Sequence, residues 1–265
     1  MSRANGEWVF RAGGCASCHG KAGAWNEAAP ALGGGQVINS RYGQFLVPNI
    51  SPDPETGIGT WSLADFDRAM RQGLAPDGHA YYPAFPYTSY TRMSDADIAD
   101  LHAFLATLPP VRNEVGTNRL GFPAKLPMAA GTWRRMFLRP GPAVRLAGAS
   151  DEVARGQYIV EGPGHCGTCH TPRGAFGGPL RGRWLGGAEM LDDSGGYAPN
   201  LTPHDDGLGG WSAAEIVEML HPAGPPDEVG EGMAAVRINF SRLPESDRYA
   251  IAAYLKALPP VASRD

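Results

Sequence analysis

The pentapeptide Cys-x-x-Cys-His occurs twice in the chain, and it constrains the fold more than any other feature. It appears as Cys15-Ala16-Ser17-Cys18-His19 and again as Cys166-Gly167-Thr168-Cys169-His170. The two copies use all four cysteines of the 265-residue sequence. This pattern is the attachment signature of c-type haem, in which both thiols form thioethers with the porphyrin and the histidine binds the iron. The sequence therefore predicts two covalently bound haem c groups.

Four cysteines could instead form two disulfides or one zinc site. A four-thiolate zinc site spaces its cysteine pairs by about 15 to 20 residues, whereas 147 residues lie between Cys18 and Cys166. A redox-active Cys-x-x-Cys pair is typical of a βαβ context, which the sequence does not show. Neither alternative explains a histidine directly after both pairs. The predicted haem-binding residues are therefore Cys15, Cys18, His19, Cys166, Cys169 and His170, with His19 and His170 as iron ligands.

The rest of the chain repeats with the same period as the haem motif, at an offset of 150 to 151 residues. Four further segments of the first copy recur in the second: residues 4–10 in 154–160, 48–50 in 199–201, 59–62 in 209–212, and 105–111 in 255–261. Self-similarity at one fixed offset indicates a duplicated structural unit. The predicted domains are residues 1–111 and 151–265, each with one haem, joined by a linker over residues 112–150.

Each copy predicts three short helices joined by long loops, as expected for a chain with 36 glycines and 24 prolines. The first helix spans about Ala4 to Ala12, and its counterpart about Glu152 to Glu161. The expected fold class is all-α, with two tandem haem domains.

The second and third helices show capping signals. Ser62 and Ser212 are expected N-caps, followed three residues later by an acidic residue, and Gly73 is placed just past the end of the second helix. The third helix begins after Ser94, and its counterpart has Pro244 at the first helical position.

The predicted linker holds six arginines together with Trp133 and Phe137. One interpretation is a linker wrapped over both domains, with its aromatic residues filling gaps. The other is a docking strip for a redox partner. Surface linkers are the commoner fate of such stretches, so the first interpretation is favoured.

The loop before the second helix carries the resemblance to a known family. The run Asn49–Ser62 (NISPDPETGIGTWS) and the run Tyr82–Tyr87 (YPAFPY) resemble signatures of bacterial multihaem cytochrome c subunits that serve alcohol, aldehyde and related dehydrogenases. The run Leu243–Lys256 fits the same group. The resemblance implies class I cytochrome c domains, in which the first and last helices cross near the haem. It also implies electron transfer from a periplasmic dehydrogenase towards the respiratory chain. This chain differs from many such subunits in having two haem motifs rather than three.

Class I domains bind the iron on its second face through a methionine on the loop before the last helix, so the resemblance implies a methionine in each copy. Met233 fills that place in the second copy. In the first copy the repeat puts Pro83 opposite Met233, and Phe85 stands where many relatives have methionine. Met93, directly before the last helix, is the expected ligand there, and His79 remains an alternative.

The proximal histidines need a backbone carbonyl to fix their rings. The spacing seen in cytochromes of this class favours Pro30 for His19, and Pro179 or Pro172 for His170.

Two further pairs of residues recur in both copies and are candidate haem contacts. Asn49 and Asn200 follow a proline, where an amide could bind a haem propionate or orient the methionine, or simply cap a turn. Trp61 and Trp211 are expected to pack on a haem edge.

Charge and hydropathy limit the partners and the location. The net charge of −4 argues against nucleic acid, whose binding needs a basic face. No run of about twenty apolar residues predicts a membrane span. Haem c is attached outside the bacterial cytoplasm, so we expect a periplasmic protein whose leader has been removed from this sequence.

Two functions remain open. The first is a dihaem electron carrier without a substrate of its own, which passes single electrons from a periplasmic dehydrogenase to a respiratory acceptor such as a cytochrome, a quinone-linked complex or an oxidase. The second is a dihaem enzyme of the peroxidase or thiosulfate dehydrogenase type, with an open or unusually ligated first haem. The lack of a spare cysteine argues against a cysteine-ligated thiosulfate enzyme, and the carrier is favoured.

Overall fold

The computed structural model describes residues 1–21, 23–190, 196–222 and 231–263, without the side chains of Trp25 and Glu231. The chain divides into two compact units. Unit 1 comprises Met1–Thr88 and Met93–Leu138, and unit 2 comprises Ser89–Arg92 and Arg139–Asp265. Most of the stretch between the repeats thus belongs to unit 1. The boundaries drawn from the repeat, at residues 111 and 151, stay predictions.

Unit 1 is built mainly of short helices. Its helices are α1 (Arg3–Ala12), α2 (Cys15–His19), α3 (Leu63–Gln72), α4 (Tyr87–Tyr90, which runs into the segment assigned to unit 2), α5 (Asp95–Leu105) and α6 (Ala129–Phe137), with a 3₁₀ turn at Ala24–Asn26. Its strands are β1 (Val37–Ser40), β2 (Gly43–Leu46) and β3 (Arg119–Leu120). They form an antiparallel sheet in the order β1-β2-β3, with Val37 opposite Leu46 and Gly43 opposite Leu120.

Unit 2 repeats the helices that surround the haem motif. Its helices are α7 (Asp151–Glu161), α8 (Gly167–His170), α9 (Ala213–Met219), α10 (Glu231–Phe240) and α11 (Glu245–Ala257), with a 3₁₀ turn at Arg181–Arg183. Strands β4 (Gly186–Glu189) and β5 (Tyr197–Asn200) form an antiparallel pair. The prediction of two tandem, mainly helical haem domains is confirmed. The strands were not expected from the sequence, because they have two to four residues each and are too short to show a clear alternating pattern.

The predicted helix caps are present. The hydroxyl of Ser62 accepts a hydrogen bond from the backbone N–H of Asp65, whose carboxylate accepts in return from the Ser62 N–H. Ser212 and Glu215 form the same reciprocal pair at α9. Gly73 ends α3 at a φ of 64°, a left-handed conformation that favours glycine. Pro244 differs slightly from the prediction, because it is the N-cap of α11 rather than its first residue.

The first and last helices pack against each other in each unit, as the resemblance implied. Helix α1 contacts α5 in unit 1, and α7 contacts α11 in unit 2. Glycines occupy both points of closest approach: a Cβ atom on Gly6 would overlap the carbonyl oxygen of Asp100, and one on Gly156 would overlap that of Ala250. Small residues here allow the helix backbones to come close enough to hold the segment that carries the haem motif.

The segment between the repeats supplies aromatic packing to unit 1. The ring of Trp133 on α6 lies 6.3 Å from that of Tyr87 and 4.9 Å from that of Phe137. Within the part of the chain that the structure describes, no helix is both long and apolar enough to cross a bilayer.

Candidate haem-binding sites

Each haem motif lies on a short helix directly after the first helix of its unit. Helix α2 carries Cys15, Cys18 and His19, and it is entered through Gly14 at a φ of 57°. Helix α8 carries Cys169 and His170, with Cys166 as its N-cap. One turn of helix therefore brings both thiols and the imidazole of each motif together. None of the four cysteines is in a disulfide.

Both motif histidines make the same hydrogen bond. Nδ1 of His19 lies 2.8 Å from the carbonyl oxygen of Pro48, and Nδ1 of His170 lies 2.8 Å from that of Pro199. Because a carbonyl can only accept, Nδ1 carries the proton and Nε2 carries the lone pair. The rings are thus held in the tautomer that binds a metal through Nε2, with an oriented ligand backed by a carbonyl.

The carbonyl partners differ from those expected. Pro30 was the expected partner of His19, and Pro179 or Pro172 that of His170, and these predictions are wrong. The actual partners, Pro48 and Pro199, lie 29 residues after their histidines in both units. A signal was available, because Pro-Asn at these positions is one of the elements that the two copies share.

Burial shifts the pKa values of several motif side chains towards their uncharged forms. It lowers the pKa of His19 to about 4 and also lowers the pKa of His170, while the carbonyl hydrogen bonds act in the opposite direction. Burial, with a smaller contribution from the neighbouring thiol, raises the pKa of Cys15 and of Cys166 to about 12. A neutral imidazole beside a pair of thiols fits an iron porphyrin held by two thioethers and one nitrogen.

Asn49 and Asn200 fix the loops that carry the proline carbonyls. Nδ2 of Asn49 donates to the carbonyl oxygen of Val111 at 2.7 Å, and Nδ2 of Asn200 donates to that of Val261 at 2.7 Å. Each amide oxygen accepts from a backbone N–H two residues further on. These bonds tie each loop to the segment after the last helix, so both asparagines position the histidine's partner. A direct contact with haem stays a prediction.

Trp61 and Trp211 occupy equivalent places, directly before the serine cap of α3 and of α9. Both are half-buried. Their backbone N–H groups donate to the carbonyl oxygens of Ile58 and Leu208, which closes the same turn in each unit. Their packing on a haem edge stays a prediction.

The candidate sixth ligands lie in different local structures. Met93 is buried, with 3% of its surface exposed, in the turn between α4 and α5. Leu243, its counterpart between α10 and α11, is equally buried at 4%. Met233 lies in the first turn of α10, not on a loop as expected from the glycines beside it. His79 is exposed, and its Nδ1 lies 2.6 Å from a carboxylate oxygen of Asp77. The assignment of Met93 and Met233 to the iron stays a prediction.

A duplicated helical unit with a metal-ready histidine beside two thiols defines a tandem c-type cytochrome. The chain belongs to the cytochrome c family, whose family model matches residues 3–109 and 153–259. The family match to both units and the relatives below confirm the predicted cofactor: the chain carries two covalently bound haem c groups.

Proteins similar to this chain are dihaem cytochromes and dehydrogenase subunits. It is 46% identical over 259 residues to "Diheme cytochrome c-type" of Cereibacter sphaeroides, which covers 97% of this chain and 86% of that protein. It is 38% identical over 268 residues to "Alcohol dehydrogenase (quinone), cytochrome c subunit" of Gluconobacter oxydans. It is 34% identical over 268 residues to "Fructose dehydrogenase cytochrome subunit" of Gluconobacter japonicus. The last two alignments cover 97% and 98% of this chain but only 54% and 53% of those proteins. The resemblance noted in the sequence is thus confirmed.

Proposed function

We propose that this protein carries single electrons from a dehydrogenase to a respiratory acceptor through its two haems. The observation that carries the proposal is the identical histidine geometry of the two units, with each Nδ1 held 2.8 Å from a proline carbonyl. A rigid axial ligand favours electron transfer, because the coordination sphere then changes little between the ferric and ferrous states. The similarity to cytochrome subunits of alcohol and fructose dehydrogenases supports a dehydrogenase as the electron donor.

The residues of the chain hold and shield the cofactors in this function. Haem c supplies a one-electron couple when bound. His19 and His170 would bind the iron and the cysteine pairs would tether the porphyrin, while Asn49 and Asn200 hold the loops that orient the imidazoles. Met93 and Met233 are the residues that would supply a second, sulfur ligand to each haem and would so exclude exchangeable ligands.

The proposed location is the periplasm, where c-type haem is attached in bacteria. A periplasmic donor and an acceptor on the respiratory chain, either a cytochrome, a quinone-linked complex or an oxidase, complete the pathway. The net charge of −4 supports a protein partner rather than nucleic acid.

The test is reduction by a dehydrogenase. The ferric holoprotein is mixed with a quinone-dependent alcohol dehydrogenase whose own cytochrome subunit has been removed, and ethanol is added. We expect both haems to become ferrous, as followed by the visible absorption of haem c. A matched assay uses fructose dehydrogenase stripped of its cytochrome subunit, with fructose as the substrate. Failure of both enzymes to reduce a protein that dithionite reduces fully would contradict a dehydrogenase donor.

A second measurement separates the carrier from an enzyme. Cyanide and carbon monoxide are added to the native ferric and ferrous protein. A carrier with two closed coordination spheres binds neither ligand. Rapid binding at one haem would instead favour the dihaem enzyme with an open first site.

A further inference from the structure

Two buried side chains of opposite charge occupy the same place in the two units. Arg11 in the last turn of α1 and Glu161 at the end of α7 align in the repeat that matches residues 4–10 with 154–160. Arg11 is 4% exposed and Glu161 is 1% exposed. Neither belongs to the haem-attachment motif. Charged side chains are rarely buried to this degree unless they are paired or functional.

Both residues lie next to the segment that attaches the haem. Arg11 precedes Cys15 by four residues, and Glu161 precedes Cys166 by five. The carbonyl oxygen of Arg11 accepts from the N–H of Gly14 at 3.0 Å, and the N–H of Cys166 donates to the carbonyl of Val160 at 3.2 Å. In unit 1 the bond joins Arg11 to the residue before the motif, and in unit 2 it joins the residue before Glu161 to the first cysteine of the motif.

The groups that face the Glu161 carboxylate are hydrogen-bond donors. The hydroxyl of Tyr254 donates at 2.6 Å, the backbone N–H of Ala143 at 2.5 Å and the side chain of Gln157 at 2.9 Å. The guanidinium of Arg92 lies 3.4 Å away, within unit 2. The Glu161 carboxylate thus accepts these three hydrogen bonds and lies beside one guanidinium, in a position closed to solvent.

Tyr254 links Glu161 to the haem motif of unit 2. Its hydroxyl oxygen accepts from the indole N–H of Trp184 at 3.2 Å. The six-membered ring of Trp184 packs on Gly167, where a Cβ atom would overlap the ring. Gly167 is the second residue of the motif, so a short chain of contacts leads from the carboxylate to the haem-attachment helix.

In the described part of unit 1, the contacts at the equivalent positions are different. Phe104 stands in place of Tyr254, and its ring packs on that of Phe10 at 5.2 Å. Arg11 donates to the carbonyl oxygen of Glu27 at 2.9 Å. The Glu7 carboxylate, one turn earlier on α1, lies 3.6 Å from the Arg11 guanidinium and is half-exposed, so water screens the charge of Glu7 more than it screens the buried charge of Arg11.

A buried charge close to a haem changes its reduction potential, because reduction adds one negative charge to the iron porphyrin. A nearby cation favours the reduced form and a nearby anion opposes it, and low dielectric strengthens both effects. We propose that Arg11 raises the reduction potential of the first haem and that Glu161 lowers that of the second. The second haem then has the lower reduction potential of the two. Arg92 and Arg181, which both interact electrostatically with Glu161, offset part of its effect. Electrons would then pass from the second haem to the first.

The test uses two conservative substitutions that remove one charge each. Glu161→Gln and Arg11→Gln are made in the full chain with both haems attached, and equilibrium redox titrations are followed by haem absorption. Glu161→Gln should raise the lower-potential component and leave the higher one in place. Arg11→Gln should lower the higher-potential component and leave the lower one in place. Each variant thus reduces the difference between the two reduction potentials, and the two variants act on different components of the titration.

Matched controls use exposed residues of the same helices. Glu152→Gln on α7 and Arg3→Gln on α1 remove the same charges from the surface and should leave both potentials unchanged. The proposal is overturned if Glu161→Gln and Arg11→Gln shift the same component, shift either component in the opposite direction, or shift it no more than the controls do. If Glu161→Gln does not fold, Arg11→Gln alone still decides whether the buried charge acts on the haem.

This inference rests on the proposed electron-transfer function only for the direction of flow. The potentials are measured at equilibrium without a donor or an acceptor. If no dehydrogenase reduces the protein, the effect of the two buried charges on the potentials can still be measured. If the substitutions do not shift the potentials as expected, the dehydrogenase assay still tests the electron donor.

Discussion

Unit 1 and unit 2 share the bonds that fix the histidine side of the haem, and they differ in the groups that surround it. In both, the imidazole lies 2.8 Å from a proline carbonyl, and an asparagine amide ties that loop to the end of the unit. Both use a serine capping box on the middle helix. The buried charge at the end of the first helix, however, is positive in unit 1 and negative in unit 2.

The candidate methionine ligands occupy different positions in the two units. Unit 2 has Met233 on α10, whereas the repeat places Pro83 at that position in unit 1. Met93 in unit 1 stands opposite Leu243. A duplicated chain can thus keep the hydrogen bonds that orient the motif histidine while the positions of its candidate methionine ligands change. The two haem sites therefore share the arrangement around the histidine and differ in the residues on the methionine side.

The largest expected effect comes from removing one attachment site at a time. Replacing Cys15 and Cys18 by alanine should reduce the covalent haem from two per chain to one, because no thioether can form in unit 1. Replacing Cys166 and Cys169 should do the same in unit 2. Haem content is measured by the pyridine haemochrome assay and by mass spectrometry. Ser17→Ala, between the cysteines, serves as the control and should keep both haems. Loss of both haems from one pair of substitutions would mean that the sites do not load independently.

The next largest effect is expected from replacing the candidate sixth ligands, which tests whether each haem has its own methionine ligand. Met233→Ala should lower the potential of one haem and Met93→Ala that of the other, since a methionine ligand raises haem potential. The loss of the methionine–iron band in the ferric spectrum gives a second readout for each haem. Met70→Leu, in the core of unit 1, is the control and should leave both potentials in place. If Met93→Ala changes neither haem, the ligand of the first haem lies elsewhere, and His79 becomes the next residue to replace.

The helix crossings provide a test of what the units share. Gly6→Ala and Gly156→Ala each place a methyl group against the backbone of the last helix, and such overpacking costs about 1–3 kcal/mol. Chemical denaturation of the holoprotein, followed by circular dichroism, measures the change. Gly210→Ala, which meets no atom within 4 Å, should stay within about 0.5 kcal/mol of the wild type. A cost in only one unit would show that the helices cross differently in the two copies.

The smallest expected effect is on the pH dependence of the stability of unit 2. Hydrogen bonds from the N–H of Ser263 and from His204 hold the pKa of Asp206 below its usual range. A carboxyl with a lowered pKa stabilises the fold at neutral pH, and this contribution is lost as the pH falls below the ordinary value of 3.8. Asp206→Asn should therefore be less stable than the wild type at pH 7, and the difference should shrink as the pH is lowered. A difference that is constant with pH would assign the effect to lost packing.

The sequence predicted the parts of the fold that depend on local signals. The serine caps, the left-handed Gly73 and the two haem motifs each follow from a few neighbouring residues. The histidine partners were missed because they lie 29 residues away along a loop, where spacing alone does not determine which carbonyl comes close. Met233 was placed on a loop because of the glycines beside it, but α10 begins before it. Tertiary packing can override the weak local preference of two glycines.

The contacts around Glu161 could not be predicted either. The chain of hydrogen bonds through Tyr254 and Trp184 joins residues that are 93 and 70 positions apart. No periodic pattern links such residues. The repeat does, however, align Arg11 with Glu161, so a comparison of the two copies could have indicated the reversal of charge before the structure did.

Strand β3 and helix α6 come from the stretch between the repeats, yet both are part of unit 1. Strand β3 extends the sheet beside β2, and Trp133 on α6 packs against Tyr87. A fresh gene duplication would give two halves that could be exchanged for each other. Here the intervening segment folds as part of unit 1, and truncation of the chain at the end of the first repeat would remove an edge strand of its sheet. The two halves are therefore no longer interchangeable building blocks, even where their sequences still match.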